Sequence, residues 1–203
     1  MNFIYINSDS FRRDNLSCYG NDWVKTPNLD KFAEEAVVFD RAYCGSFPTV
    51  PNRRDVFTGR YTFTYADWSA LSSQEVVLSE VLGRNGYTSY MVLDTPHIVA
   101  NGFGYDRGFT GWNWIRGQES DRYRTHPKDI KLPCAVEKLR GGAVTTTRHM
   151  RNNTVHRKSE ADCFAPMTMS DAMDWLDHNH KLDKFFLYVD TFDPHEPWDP
   201  PKH

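Results

Sequence analysis

Apolar and polar positions along the 203 residues fall into short runs of two kinds, continuous and helically spaced. Residues 2–8 carry the unbroken run Phe3-Ile4-Tyr5-Ile6 and stop at Ser8-Asp9-Ser10, which predicts a buried first strand with Asp9 at its carboxyl end. Thr26-Pro27-Asn28-Leu29-Asp30 opens a helix over 27–36, with Leu29, Phe32, Ala33 and Ala36 on one face. Val37-Val38-Phe39 predicts a short strand, and 51–58 a helix that Gly59 stops. A helix over 74–85 carries Val77, Leu78, Val81 and Leu82 and ends at Asn85-Gly86; a strand over 87–93 follows, ending at Asp94. Between 100 and 160 the periodicity fades, which predicts long loops and one helical stretch without defined limits. Ser170 caps a helix over 170–180 with Met173, Trp175 and Leu176, and residues 185–190 form the last strand.

Strands alternating with helices predict an α/β fold: a mostly parallel sheet with helices on both faces, in a single domain over 1–203. In such sheets ligands bind beyond the carboxyl ends of the strands. Asp9, Thr49, Asp94, His97 and His195 all follow strands or open a helix, which favours their convergence on one edge.

Composition narrows the class. Hydrophobic residues at 39% and charged residues at 25% describe a globular chain. A net charge of -3 argues against nucleic acid as a partner. Cys18, Cys44, Cys134 and Cys163 match no zinc spacing and read as buried apolar residues or free thiols. No basic leader and no apolar run long enough to span a bilayer is visible, so no membrane partner and a cytoplasmic location are expected.

The candidate chemistry centres on Thr49-Val50-Pro51-Asn52-Arg53, with Thr58-Gly59-Arg60 behind it. On a helix, residues four apart share a face, and a helix start favours anions. A hydroxyl nucleophile and a guanidinium so placed suit attack on an oxyanion of phosphorus or sulfur. Each residue also has a plainer use: Asp9 as a turn cap, Thr49 as an N-cap, Arg53 as a surface cation, His97 as a structural imidazole. His195, between Pro194 and Glu196 at a strand end, favours function. Asp94 and Asp193 read as orienting neighbours or capping turns. Glu119 and Asp121 suit either lining a substrate mouth or locking a loop by pairing with Arg116 or Arg122, with the structural role favoured, and Trp112-Asn113-Trp114 reads as packing rather than a sugar platform. His126, His149, His156, His178, His180 and His203 show no ligand spacing.

Five ordered motifs resemble the N-terminal part of the sulfatase family within the alkaline phosphatase superfamily. They are Asp9-Ser10-Phe11-Arg12-Arg13-Asp14 with Cys18-Tyr19-Gly20, Thr26-Pro27-Asn28-Leu29-Asp30, Thr49-x-Pro51-x-Arg53 with Thr58-Gly59-Arg60, Arg116-Gly117-Gln118-Glu119-x-Asp121, and Asp193-Pro194-His195-Glu196-Pro197. The resemblance implies an alkaline phosphatase-like fold, incomplete here, and a metal-dependent hydrolase of small-molecule sulfate or phosphate esters. It implies Asp9, Ser10 and Thr49 as ligands of a divalent ion (calcium, manganese or zinc), Thr49 as nucleophile, Arg53 as oxyanion partner, and His97 and His195 near the leaving group. The chain departs from the pattern at three positions. Thr49 stands at the position of the Cys or Ser that becomes formylglycine; oxidising a threonine gives a ketone, so no formylglycine is expected. A metal-activated threonine, as in phosphodiester- and phosphonate-cleaving relatives, is the other route. Ser10 stands where many members have Asp, and Thr95 where many have Lys. The family's remaining metal ligands lie beyond the last motif, so the chain reads as part of a longer enzyme. The competing reading is a non-catalytic member, or an inactive fragment, that uses the same cleft for an anion or a partner.

Overall fold

The computed structural model describes residues 1–125, 130–140 and 143–201; His126 and His203 lie outside them. Four strands, β1 (Phe3–Ser8), β2 (Thr88–Leu93), β3 (Gly111–Trp114) and β4 (Phe185–Thr191), form one sheet in the order β1-β4-β2-β3, with all pairings parallel. The helices among the described residues are α1 (Pro27–Glu34), α2 (Thr49–Thr58), α3 (Leu78–Arg84), α4 (Ala143–Thr154) and α5 (Phe164–Asn179).

Strand side chains alternate between the faces of a sheet, and here each face meets its own helices. On one face Met91 and Leu93 of β2 and Phe186 and Tyr188 of β4 pack with Val50 and Phe57 of α2. On the other, Val92 of β2 and Phe185, Leu187 and Val189 of β4 pack with Ala172, Met169, Trp175 and Leu176 of α5. β4 is buried along its whole length, as a central parallel strand covered on both faces should be. The register sets Ser8 level with Thr191, and Leu93 level with both Asp190 and Trp114. The carboxyl ends therefore share one edge.

The sheet, the two-sided covering and the turn at Gly59, where φ is +67°, agree with the sequence reading. Several elements differ. β1 is an edge strand, not a buried one: Phe3, Ile4, Tyr5 and Ile6 are 41%, 52%, 39% and 58% exposed, because β4 is its only neighbour among the described residues. Residues 37–39 form no strand and are exposed. α3 starts later than 74 because Glu75 is used as a side-chain anchor, accepting from Ser72 N–H at 2.6 Å and pairing with Arg54 at 3.2 Å. α5 starts before Ser170; its Pro166 lies in the first turn, where a missing N–H is tolerated. The faded stretch holds β3 and α4. None of the four cysteines is buried, and all four thiols are free.

Candidate active site

Asp9 follows β1 directly, with its N–H on Thr191 O at 2.9 Å. Ser10 takes a left-handed backbone, φ +57°, and its hydroxyl donates to Asp9 Oδ1 at 3.1 Å. Across the edge, Thr49 is the first residue of α2. Pro48 holds the N-cap position without a side-chain bond, so Thr49 is not used as a cap. The Thr49 hydroxyl has no hydrogen-bond partner among the described residues, although the residue is only 5% exposed.

One helical turn on, Arg53 is a buried brace. Its Nη1 lies 3.1 Å from Asp9 Oδ2. Its Nε and Nη2 donate to the two oxygens of Asp190 at 2.9 and 2.8 Å. Asp190, near the end of β4, also accepts from Thr95 Oγ1 at 2.6 Å and from the Tyr188 hydroxyl at 2.7 Å. Burial alone would lower the Arg53 pKa; the carboxylates of Asp190 and Asp9 reverse that and hold it well above its ordinary value. The guanidinium is thus permanently charged and forked between two strand ends.

His97 lies in the short turn Pro96–Ile98, two residues after Thr95. Its Nε2 is 2.8 Å from Glu119 Oε2. Its ring sits edge-on between Trp68 and Phe192, with centroids 5.3 Å from each. The His195 ring stacks on the same Phe192 with centroids 4.2 Å apart. Gln118 Nε2 donates to Asp193 Oδ1 at 2.9 Å and ties the Glu119 loop to the His195 loop. Asp121 pairs with Arg116 through two 2.8 Å bonds, as the sequence suggested, whereas Glu119 goes to His97 instead of an arginine.

Asp94 acts as the sequence suggested, as an orienting group. Its oxygens accept from Phe192 N–H at 2.6 Å and Thr168 Oγ1 at 2.7 Å, fixing the loop after β4 to α5. Burial pushes its pKa from 3.8 up to about 7 against the lowering effect of those bonds. A polar cleft of about 530 Å³ opens beside His97, walled by Trp68, Trp114, Arg116, Arg122 and His149. A more apolar one of about 330 Å³ opens beside His195, walled by Met150, Phe164 and Trp198.

The sulfatase family profile matches residues 1–203. The chain belongs to the sulfatase family. It is 26% identical over 120 residues to an N-acetylglucosamine-6-O-sulfatase of Bacteroides thetaiotaomicron, a match covering 58% of this chain and 21% of that protein. It is 22% identical over 221 residues to an arylsulfatase of Clostridium perfringens, covering 99% of this chain and 44% of the relative. In fold it resembles a phosphonate monoester hydrolase of Agrobacterium radiobacter, with a TM-score of 0.65 at 20% identity over 99% of this chain and 42% of that one. It also resembles a protein solved with its substrate D-glucosamine-2-N,6-O-disulfate, with a TM-score of 0.66 at 18% identity over 98% and 35% of the two chains. This sulfatase-family chain thus spans less than half the length of these relatives.

A divalent ion requires several oxygen ligands in a closed arrangement. The expected set, Asp9, Ser10 and Thr49, offers one carboxylate and two hydroxyls, and the carboxylate charge is already matched by Arg53. No group of three His, Cys, Asp or Glu side chains among the described residues is arranged for a metal. These residues alone do not fit a complete metal centre.

The structure sets the expected Asp9, Thr49, Arg53, His97 and His195 along the carboxyl edge and adds two residues to them. Asp190 was visible in the sequence only as a strand end, yet a strand-final Asp is the same signal that pointed to Asp9 and Asp94. Glu119 gave no spacing signal, since its partner is 22 positions away.

Proposed function

We propose that this chain forms part of a hydrolase of sulfate or phosphorus esters in which Thr49 supplies the attacking oxygen. The observation that carries this reading is the pairing of an unengaged hydroxyl at the start of α2 with a buried, fixed cation one turn below it. Thr49 Oγ1 attacks sulfur or phosphorus, and the helix start and Arg53 offset the charge gathering on the nonbridging oxygens. His97 or His195 protonates the departing oxygen. A divalent ion, completed by ligands beyond Asp9, Ser10 and Thr49, would supply the activation of the hydroxyl at neutral pH. Asp9, with the Ser10 and Thr49 hydroxyls, is the share of its cage that this chain would supply.

The threonine tilts the reading toward phosphorus, because formylglycine chemistry needs a side chain that oxidises to an aldehyde. A phosphonate monoester hydrolase among the structural neighbours supports the same side; sulfated sugars stay in view through the disulfated glucosamine bound by another. One observation favours a second reading, anion binding without turnover: where many members carry Lys, Thr95 is buried and spends its hydroxyl on Asp190.

Assays of nitrophenyl sulfate, phosphate, phosphodiester and phosphonate esters with divalent metal supplied, run beside Thr49→Ala, separate the two. The hydrolase reading expects turnover of at least one ester and a loss on the order of 10³-fold or more in the variant. Activity unchanged in Thr49→Ala removes the residue from the reaction, and anion binding without turnover favours the second reading.

A further inference from the structure

We propose that Glu119 is a positioning residue that fixes His97 as the proton donor to the departing oxygen, an inference that rests on the hydrolase reading above.

Four observations converge on it. First, Glu119 Oε2 lies 2.8 Å from His97 Nε2, and both side chains are mostly buried, at 19% and 24% exposed. Second, Glu119 has a left-handed backbone, φ +48°, although it is not glycine. Such a conformation is strained in a residue with a long side chain and persists only where its surroundings impose it. Here its N–H is taken by Gln118 Oε1 at 3.1 Å, and Gln118 Nε2 is held by Asp193 at 2.9 Å. The strained turn is thus fastened to the loop that carries His195. Third, the His97 ring is held edge-on between Trp68 and Phe192. With Nε2 committed to Glu119, Nδ1 is the edge left to meet a substrate, and it has no partner among the described residues. Fourth, burial would raise the Glu119 carboxyl, yet the hydrogen bond and charge of His97, with the charge of His195, hold it below its ordinary value. Glu119 is therefore an anion facing two imidazoles.

The arrangement prepares one proton transfer. As Thr49 Oγ1 bonds to sulfur or phosphorus, its proton passing to solvent water, the bond to the ester oxygen breaks and its electron pair stays on that oxygen. His97 Nδ1–H protonates the oxygen. The imidazole is left neutral, with Nε2–H still donated to Glu119, so its ring keeps its tautomer and its aim.

The test compares wild type, Glu119→Gln and His97→Gln on esters whose leaving groups run from nitrophenol to phenol to a simple alcohol. A lost proton donor matters most for the most basic leaving group. The expected result is that Glu119→Gln loses at least about tenfold more activity on the phenyl than on the nitrophenyl ester, and adds no further leaving-group sensitivity in the His97→Gln background. A loss equal across the series, or additive with His97→Gln, overturns the proposal. A second measurement does not depend on turnover. In a ¹H–¹⁵N imidazole spectrum, assigned by its absence in His97→Gln, the His97 Nε2–H should be protected in wild type and lost to exchange in Glu119→Ala. A wild type that cleaves no ester removes the hydrolase reading; an Nε2–H signal unchanged in Glu119→Ala removes the Glu119 assignment, whatever the turnover.

Discussion

Removing Arg53 tests the reading of the strand ends most directly. Its side chain is 4% exposed, that of Asp190 is 0% exposed and that of Asp9 10%, so Arg53→Ala strands the Asp190 carboxylate in the interior and leaves Asp9 without its cation. Breaking one side of a buried ion pair costs about 3–5 kcal/mol, because the remaining charge keeps its desolvation penalty. Asp190 would keep two donors, Thr95 and Tyr188. Hydrogen bonds to a charged group are worth about 1.5–3 kcal/mol each, which places the cost at the lower end, about 3 kcal/mol. Asp190→Asn in the Arg53→Ala background removes the more deeply buried of the two stranded charges, so the pair should be non-additive by about 2 kcal/mol in favour of the double variant. Urea unfolding at pH 7 of wild type, both single variants and the double variant gives these values from the midpoints and slopes. A cost below about 1 kcal/mol for Arg53→Ala, or single costs that simply sum, would refute the claim that Arg53 is held by charge rather than by shape.

Two further outcomes follow from the geometry. Asp94 carries a native pKa of about 7 against an ordinary 3.8. The folded state therefore binds more protons than the unfolded state between those values, and the contribution is full below pH 3.8 and lost as pH rises through about 7. By linkage its size is about 4 kcal/mol at most. Wild type should lose stability relative to Asp94→Asn as pH rises from about 4 to 7, read as the difference in midpoints; a flat difference sinks the assignment. Gly117 has φ +118°, and an added Cβ would lie 2.9 Å from Asn153 Cβ and 3.3 Å from Phe164 Cε1. Gly117→Ala should cost about 1–3 kcal/mol, seen as a lower melting temperature, and an unchanged one contradicts the close approach of that loop to α4.

The inner strand β2 and the end of α2 were legible because each is a continuous signal with a clear stop, an apolar run ending at Asp94 or a helix ending at Gly59; the start of α2 falls at Thr49, two residues before the expected 51, because Pro48 takes the N-cap position. β3 was not, since four residues, Gly111–Trp114, are too few to establish a period. β1 misled because an apolar run states what a strand prefers, not whether anything covers it. The edge residues of the site were legible by position after strands. Their pairings were not: Arg53 reaches across 137 positions to Asp190, and no local pattern encodes such a contact. Glu119 was named in its motif with an arginine as the expected partner; that the partner is His97 was hidden for the same reason, and its backbone strain is invisible in composition.

The exposed edge of β1 has a practical consequence for handling this polypeptide. One side of that strand offers free amide and carbonyl groups among the described residues, beside Ile4 and Ile6, whose side chains face water. A ladder with an open rung and greasy flanks recruits whatever extended chain is near, including a second molecule of itself. Concentrated samples should therefore be checked for self-association before any rate is trusted, and a lysine placed at Ile4 or Ile6 is the simplest guard.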